Sequence, residues 1–550
     1  MVMSEKIQYM AGAVAMSNTV QPVKNLNAAA NAAAMSAVGR LSTEPTSLIQ
    51  YSSRGRVAVI GGIEAQDFAV RLSGSLSAQV ILTQGAVEPG VPTIPAGNRP
   101  IRIEGYLGNF NIVLGEEGRP NCESLQVDMI LDLSEVPLLA MPLKPPGYLT
   151  SIAEEPYLSE VEQELKDLTG TFEKPKYFSY DAAICAHGRA GIAGCSMCID
   201  ACPAEAISSL IESVEVDPHL CQGGGVCASV CPTGAIRYVY PTVTDTLRML
   251  RTLLNSYAEA GGSNAVIAFV AQAEADRLEN RPDNLLVVVV EELASTGMDV
   301  WLSALAYGAD AVLLVDAGTM PDSVAGFIRL QIDTADSILQ GLGYVHNAIR
   351  IVDPESPAQH CEAASPFNLQ KVASFAGSTE KRRTLLQAID HLYQQSITAR
   401  ELIPLPAQSP LGRINVDANA CTLCMGCTSV CPSKALSAGN EIPKLEFYEI
   451  NCVQCGICAA ACPEHAISLE PRLVADAEQR RAMVVLHEEE PYCCIRCGKP
   501  FATRSIIDNM TKKLAGHHMF QSERAIQRLM MCEDCRVIDV VQDQDAMRTA

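Results

Sequence analysis

Four times in this chain a cysteine is followed directly by proline and, after two more residues, by Ala-Ile or Ala-Leu. The four are Cys202-Pro203 with Ala206-Ile207, Cys231-Pro232 with Ala235-Ile236, Cys431-Pro432 with Ala435-Leu436, and Cys462-Pro463 with Ala466-Ile467. Each closes a short cysteine run. A C-x2-C-x2-C-x3-C-P run is the spacing that wraps backbone around a cubane iron–sulfur cluster, since thiolates are soft anionic ligands and two-residue gaps turn successive sulfurs inward. The repeat therefore predicts ligand-centred modules and an electron carrier.

From 412 to 472 the pattern is complete: Cys421-x2-Cys424-x2-Cys427-x3-Cys431-Pro432, then Cys452-x2-Cys455-x2-Cys458-x3-Cys462-Pro463. In paired runs the fourth cysteine serves the other cluster. This predicts Cys421, Cys424, Cys427 and Cys462 on one cluster and Cys452, Cys455, Cys458 and Cys431 on the other. The arrangement resembles the bacterial-type two-cluster ferredoxin domain, which implies a pseudo-twofold βαββαβ unit with two [4Fe–4S] clusters.

Between 176 and 240 the plan recurs in altered form. It begins Cys185-x9-Cys195-x2-Cys198-x3-Cys202, the stretched gap holding an insertion that includes His187 and Arg189. The second run reads Cys221-Gln-Gly-Gly-Gly-Val-Cys227-x3-Cys231, so the second ligand position is Gly224. Crossed ligation gives one full set, Cys185, Cys195, Cys198 and Cys231, and one short set, Cys221, Cys227 and Cys202. Three readings stand for the short set: a [3Fe–4S] cluster, a cubane with one iron held by solvent or a neighbouring oxygen or nitrogen, and a lost site. His187 and Arg189 read either as donors to cluster sulfur, which would raise its potential, or as a solvated loop.

Near the C-terminus come Cys493-Cys494-x2-Cys497-Gly498 and Cys532-x2-Cys535. Four thiolates, Cys494, Cys497, Cys532 and Cys535, fit tetrahedral zinc, and Gly498 permits a tight turn. A further iron–sulfur cluster or reduced thiols are the other readings. Cys493 is a spare, His517 and His518 read as capping or solvent-facing, and Cys122 and Cys361 as small hydrophobes.

Twenty-two cysteines at ligand spacing in 550 residues point to a reducing compartment, the cytoplasm, and away from a disulfide framework. The formal charge of −22 excludes phosphate-driven nucleic-acid binding and suits either docking on a basic protein patch or solubility alone. No apolar run approaches the roughly 18 residues of a membrane helix.

The remaining segments complete a multidomain α/β plus α+β reading. Residues 1–50 read as a flexible or loosely helical tail. Residues 51–145 read as a degenerate Rossmann-like unit, where Arg56–Gly62 suggests a first strand and turn but the G-x-G-x-x-G spacing fails. Residues 146–175 read as a linker on the strength of Pro142–Gly147, 176–240 as ferredoxin-like module I, and 356–411 as a helical linker. Residues 412–472 form ferredoxin-like module II and 473–550 a zinc-knuckle-like domain.

Residues 241–355 predict a central doubly wound α/β domain, with helices 244–260, 299–307 and 323–342 between strands 265–270, 285–290, 311–315 and 349–352. Glu291, Glu292, Asp316 and Gly318 fall at strand carboxyl ends, where such sheets take ligands. No phosphate loop is present, which favours a docking or scaffold domain. The stretch Leu302–Val315 resembles the delta-subunit domain of hydrogenase and heterodisulfide reductase complexes, without the cysteines that hold a cluster there.

The string from Pro145–Tyr148 through Phe172–Phe178 and Cys185–Arg189 to the four Cys-Pro turns and Cys497–Phe501 resembles large cytoplasmic iron–sulfur proteins associated with molybdenum formate dehydrogenases. The resemblance implies electron transfer with formate dehydrogenase as the partner oxidoreductase, and the residues themselves offer no nucleophile–base pair or open metal site to single out as catalytic. Two rival classes are a scaffold or maturation factor for a molybdenum enzyme, and a redox enzyme with a cofactor site in 241–355.

Overall fold

The computed structural model describes residues 22–543 apart from 44–45, 117, 152–155, 279–280, 363–365, 368 and 440–441. The first 21 residues of the expected tail and the last seven of the C-terminal domain lie outside the described residues.

The tail expectation fails over Pro22–Val38. This stretch is a helix whose Ala30, Ala34 and Val38, at helical spacing, are buried in the core of the central domain against Val243–Glu259. Alanine-rich composition hid it, because a small-residue stripe reads as low complexity until a partner surface is present.

The N-terminal unit is a parallel sheet in the order Thr93–Pro95, Ser77–Leu82, Arg56–Gly61, Met129–Asp132, Tyr148–Thr150. Counted along the chain this is 3-2-1-4-5, the strand order of dinucleotide folds. One face is covered by helices Ile63–Leu72 and Tyr157–Asp167, the other by an antiparallel meander of Ile101–Tyr106, Asn109–Leu114 and Glu123–Val127. Residues 146–175 are thus part of a domain, which corrects the linker reading. Gly147, with φ +85°, turns directly into the Tyr148–Thr150 strand, and Gly170–Pro175 pairs with Leu48–Ser53.

The helix that should receive a pyrophosphate has its N-terminus covered by its own side chain, with Gly62 N–H donating to Glu64 Oε1 at 2.6 Å. A carboxylate there takes the place the helix dipole would offer a phosphate.

The central domain matches its expected elements closely. Its strands, Val266–Ala271, Leu285–Val290, Ala311–Val315 and Ile349–Val352, form a parallel sheet ordered second, first, third, fourth. The second and third crossovers send Met298–Ala306 and Asp322–Gly341 to one face, where Trp301, Ile328 and Ile338 are fully buried. The first crossover, to the opposite face, carries among its described residues the short 3₁₀ turn Gln272–Arg277.

At the carboxyl ends of the first and third strands, where the order reverses, Glu274 reaches across. Its carboxylate accepts from Ala317 N–H at 3.2 Å and from the Thr319 hydroxyl at 2.7 Å. Glu274 thus holds the loop that carries Asp316 and Gly318, two of the residues singled out there, while Glu291 accepts from the Tyr177 hydroxyl at 3.4 Å.

Residues 356–411 are likewise not a linker. Helix Lys381–Gln395 buries Leu385, Ala388, Ile389 and Leu392 in the same core as Met298–Ala306, a stripe that made it a core element from the outset.

Both ferredoxin-like modules show the βαββαβ order. In module I the elements are Phe178–Tyr180, Met197–Ala201, Ile207–Ser209, Val214–Val216, Val226–Val230 and Ile236–Tyr238. In module II they are Gly412–Val416, Gly426–Val430, Leu436–Ala438, Lys444–Tyr448, Ile457–Ala460 and Ile467–Val474. Strands Leu402–Pro404 and Met483–Glu488 extend the second module's sheets on both sides. No helix among the described residues is long and apolar enough to cross a membrane.

Candidate metal centres

The Cys-Pro turns share one backbone path. The residue three after each cysteine, Glu205, Gly234, Lys434 or His465, is left-handed, with φ between +48° and +73°. That kink swings the next N–H back toward sulfur: Ala435 N and Ala466 N donate to Cys431 Sγ and Cys462 Sγ, each at 3.3 Å. Such donors favour the thiolate. At the Cys231 turn the corresponding Ala235 N–H donates instead to Thr233 Oγ1 at 3.2 Å.

The thiols gather into four groups. Cys421, Cys424, Cys427 and Cys462 wall one cavity of about 20 Å³, and Cys431, Cys452, Cys455 and Cys458 wall another of about 20 Å³. Burial first, then the charges of Cys421, Cys424 and Cys462, push Cys427 up to about 12. In module I, burial and the charges of Cys231, Cys195 and Cys185 push Cys198 up to about 12. Cys227 is driven well above its ordinary value by burial, then by Cys221 and Cys202. Thiols crowded in this way carry negative charge comfortably only around a cation, so the donor sets fit iron.

Gly224 sits at a ligand position in everything but its side chain. Cys424 lies between left-handed Leu423 and Met425, Cys455 between left-handed Gln454 and Gly456, and Gly224 between left-handed Gly223 and Gly225. A β-carbon at Gly224 would meet nothing within 4 Å.

The insertion between Cys185 and Cys195 is a small hairpin, Gly188–Arg189 with Ile192–Ala193. His187 does not face sulfur: Nδ1 lies 2.9 Å from the Cys195 carbonyl and Nε2 2.7 Å from Ser209 Oγ. Arg189 is exposed. The hairpin instead reaches module II, where a β-carbon on Gly194 would stand 2.4 Å from Ile457 Cγ1. Cys195 and Cys455 are close enough that the latter's charge helps to raise the former's pKa.

At the C-terminal knuckle Cys494, Cys497, Cys532 and Cys535 have sulfurs within 4.8 Å of one another, with Cys497 Sγ and Cys532 Sγ 3.7 Å apart. Gly498, at φ +75°, returns its N–H to the Cys494 carbonyl at 2.9 Å. Burial opposes ionisation of Cys494, but N–H groups of Cys532, Cys497 and Arg496 outweigh it and bring its pKa to about 6. Cys493 is exposed, and His517 caps a short turn by accepting from Met519 N–H. Cys361 is buried in an apolar cluster, while Cys122 is half-buried.

Sequence reasoning missed three cations that reach these centres from outside the modules. Lys174, on the Gly170–Pro175 strand, donates to the carbonyls of His219 at 2.8 Å and Cys221 at 2.6 Å. Lys381 donates to the carbonyls of Ala228 at 2.9 Å, of Ser229, and of Cys231 at 3.3 Å. Arg382 donates to those of Ile450, Pro410 and Cys452, each at 2.7 Å. One signal was available: Lys381-Arg382-Arg383 opens a helix, where the dipole disfavours cations.

Residues 420–467, spanning all eight cysteines of the second block, match the 4Fe-4S dicluster domain family. The chain carries ferredoxin-type iron–sulfur domains. Residues 214–237, which include Cys221, Gly224, Cys227 and Cys231, match the 4Fe-4S binding domain family. No curated protein sequence matches the chain.

Proposed function

We propose that this iron–sulfur protein is an electron carrier that passes electrons between its two ferredoxin modules and a partner oxidoreductase, formate dehydrogenase on the resemblance of its motif string. The carrying observation is the Gly194–Ile457 contact, which brings Cys195 of one module beside Cys455 of the other. Bound clusters supply reversible one-electron chemistry.

Cys185, Cys195, Cys198 and Cys231 would hold one [4Fe–4S] cluster. Cys421, Cys424, Cys427 and Cys462 would hold a second, and Cys431, Cys452, Cys455 and Cys458 a third. Cys202, Cys221 and Cys227 are the ligands of a three-sulfur site suited to [3Fe–4S]. The carboxylates of Glu64 and Glu274, lodged where nucleotide folds take anions, favour flanking domains that scaffold the modules over domains that bind a cofactor.

The knuckle is assigned to structural zinc. Zn–S bonds of about 2.3 Å set tetrahedral sulfurs roughly 3.8 Å apart, close to the 3.7 Å between Cys497 and Cys532. A cytoplasmic setting follows from thiols that must stay reduced until metal arrives.

Anaerobic protein analysed for iron, sulfide and zinc, then titrated with electron paramagnetic resonance, tests the reading. Clusters that reduce and reoxidise against formate-reduced formate dehydrogenase are the expected result. Clusters that no oxidoreductase partner reduces or reoxidises at a useful rate would overturn electron transfer.

A further inference from the structure

We infer that Lys174, Lys381 and Arg382 are positioning residues by which the flanking α/β domains set the reduction potentials of the three cluster sites they reach. The inference rests on the electron-transfer reading above and adds to it the elements that tune each site. Each cation comes from outside the ferredoxin fold and ends on the main-chain carbonyl of a different cysteine: Cys221 of the three-sulfur set, Cys231 of the set that includes Cys195, and Cys452 of the set that includes Cys455, the last two being the inner sets that face each other across the modules.

Neutral donors would satisfy those carbonyls as well, and desolvating an ammonium or guanidinium costs several kcal/mol. What a cation adds is charge. Reduction adds an electron to an already anionic cluster, and a fixed positive charge beside the ligand backbone stabilises the reduced form.

Lys381 and Arg382 are neighbours in sequence yet serve opposite modules, so one helix start addresses both inner sites. Local opposing charges grade the effect. Asp217 lies near Lys174, and buried Asp299 faces Lys381. The charges that act most on Arg382 are those of Cys452 and Arg480, neither of them a carboxylate. Arg382 is therefore the strongest of the three, and Asp299 is a counterweight whose removal acts in the opposite sense.

The test uses the full chain, purified anaerobically with its clusters and titrated by electron paramagnetic resonance. Signals are assigned by their loss in Cys227→Ser, Cys198→Ser and Cys458→Ser. At fixed ambient potential, Arg382→Met should lower the reduced-to-oxidised ratio of the Cys458 site about tenfold, equivalent to ~59 mV for one electron. Lys381→Met and Lys174→Met should each lower the ratio at their own site, and Lys381→Arg should restore wild-type behaviour. Asp299→Asn should raise the ratio at the Cys198 site. The Cys421, Cys424, Cys427 and Cys462 set, which none of the three cations reaches, should not move.

A variant that keeps its iron and sulfide but leaves its own site's potential unchanged overturns the inference, as does an equal shift at every site. Should the methionine variants at 381 and 382 shed clusters, half-buried Lys174 and the near-isosteric Asp299→Asn decide by the same criterion. Failure of the electron-transfer reading would be seen earlier, as wild-type protein without redox-active clusters.

Discussion

Gly194 touches Ile457 across the boundary between the two ferredoxin modules, so closely that a β-carbon on the glycine would stand 2.4 Å from the isoleucine side chain. The same β-carbon would meet the Ala186 carbonyl at 2.6 Å, so the hairpin cannot yield by simple rotation. Gly194→Val should destabilise the junction by about 1–3 kcal/mol, the usual cost of overpacking. Denaturant unfolding under anaerobic conditions measures that cost. The functional expectation is sharper: magnetic coupling between the Cys195 and Cys455 sites should weaken while each cluster's own signal persists. Unchanged coupling would mean that this contact does not set the separation.

Gly224 and Cys424 occupy equivalent places in their loops, each between two left-handed residues. Space around Gly224 is open and its own φ is not left-handed, so Gly224→Cys should fold without strain. The substitution completes a four-sulfur set with Cys202, Cys221 and Cys227. We expect a three-iron signal in the wild-type protein, its disappearance in the variant, and a rise in iron per chain. A wild-type protein lacking any three-iron signal would refute the three-sulfur assignment.

What could be read from residues alone divides along physical lines. The central sheet was legible because β-branched runs such as Leu285–Val290 and amphipathic stretches such as Val243–Glu259 carry their periodicity in the sequence. Ligand positions were legible because metal spacing is local. Long-range decisions were not. Nothing near Pro22–Val38 shows that its alanines bury against residues some 200 positions away. Lys174, Lys381 and Arg382 find their carbonyl partners only once the domains assemble. Glu64 and Glu274 likewise look like ordinary surface acids until the turns they fill have formed.

The C-terminal knuckle leans on module II. The Thr503 hydroxyl donates to the Thr422 carbonyl at 2.9 Å, and Lys513 pairs with Glu464 at 2.9 Å. Both partners adjoin ligand cysteines, Thr422 next to Cys421 and Glu464 two residues after Cys462. If zinc organises the knuckle, it should remain bound after oxidative loss of the iron clusters, since zinc has no redox chemistry. Cobalt substitution should give tetrahedral thiolate absorption. Cys532→Ser should release zinc and speed oxidative loss of the Cys421 cluster relative to the other sites, followed by iron retention over time in air. Iron in place of zinc at this site would refute the assignment.

In the N-terminal domain, buried Asp128 receives the N–H groups of Arg54 at 2.7 Å and Arg56 at 3.0 Å, together with the Arg56 guanidinium at 2.5 and 3.1 Å. Burial alone would raise its pKa, but these donors outweigh that effect and hold the carboxyl below its usual value. A folded-state pKa below the unfolded one means stability that is fully present above the ordinary carboxylate range and lost as pH falls through the folded-state value. Asp128→Asn should therefore destabilise the Arg56–Gly61 strand at neutral pH. The cost should be about 2 kcal/mol, less than for a fully buried pair because the Arg56 side chain is 44% exposed. Native-state hydrogen exchange of that strand is the measurement. The gap between wild type and variant should close on acidification below the ordinary carboxylate range, and a gap that stays constant with pH would show that the carboxylate's charge contributes nothing to the strand.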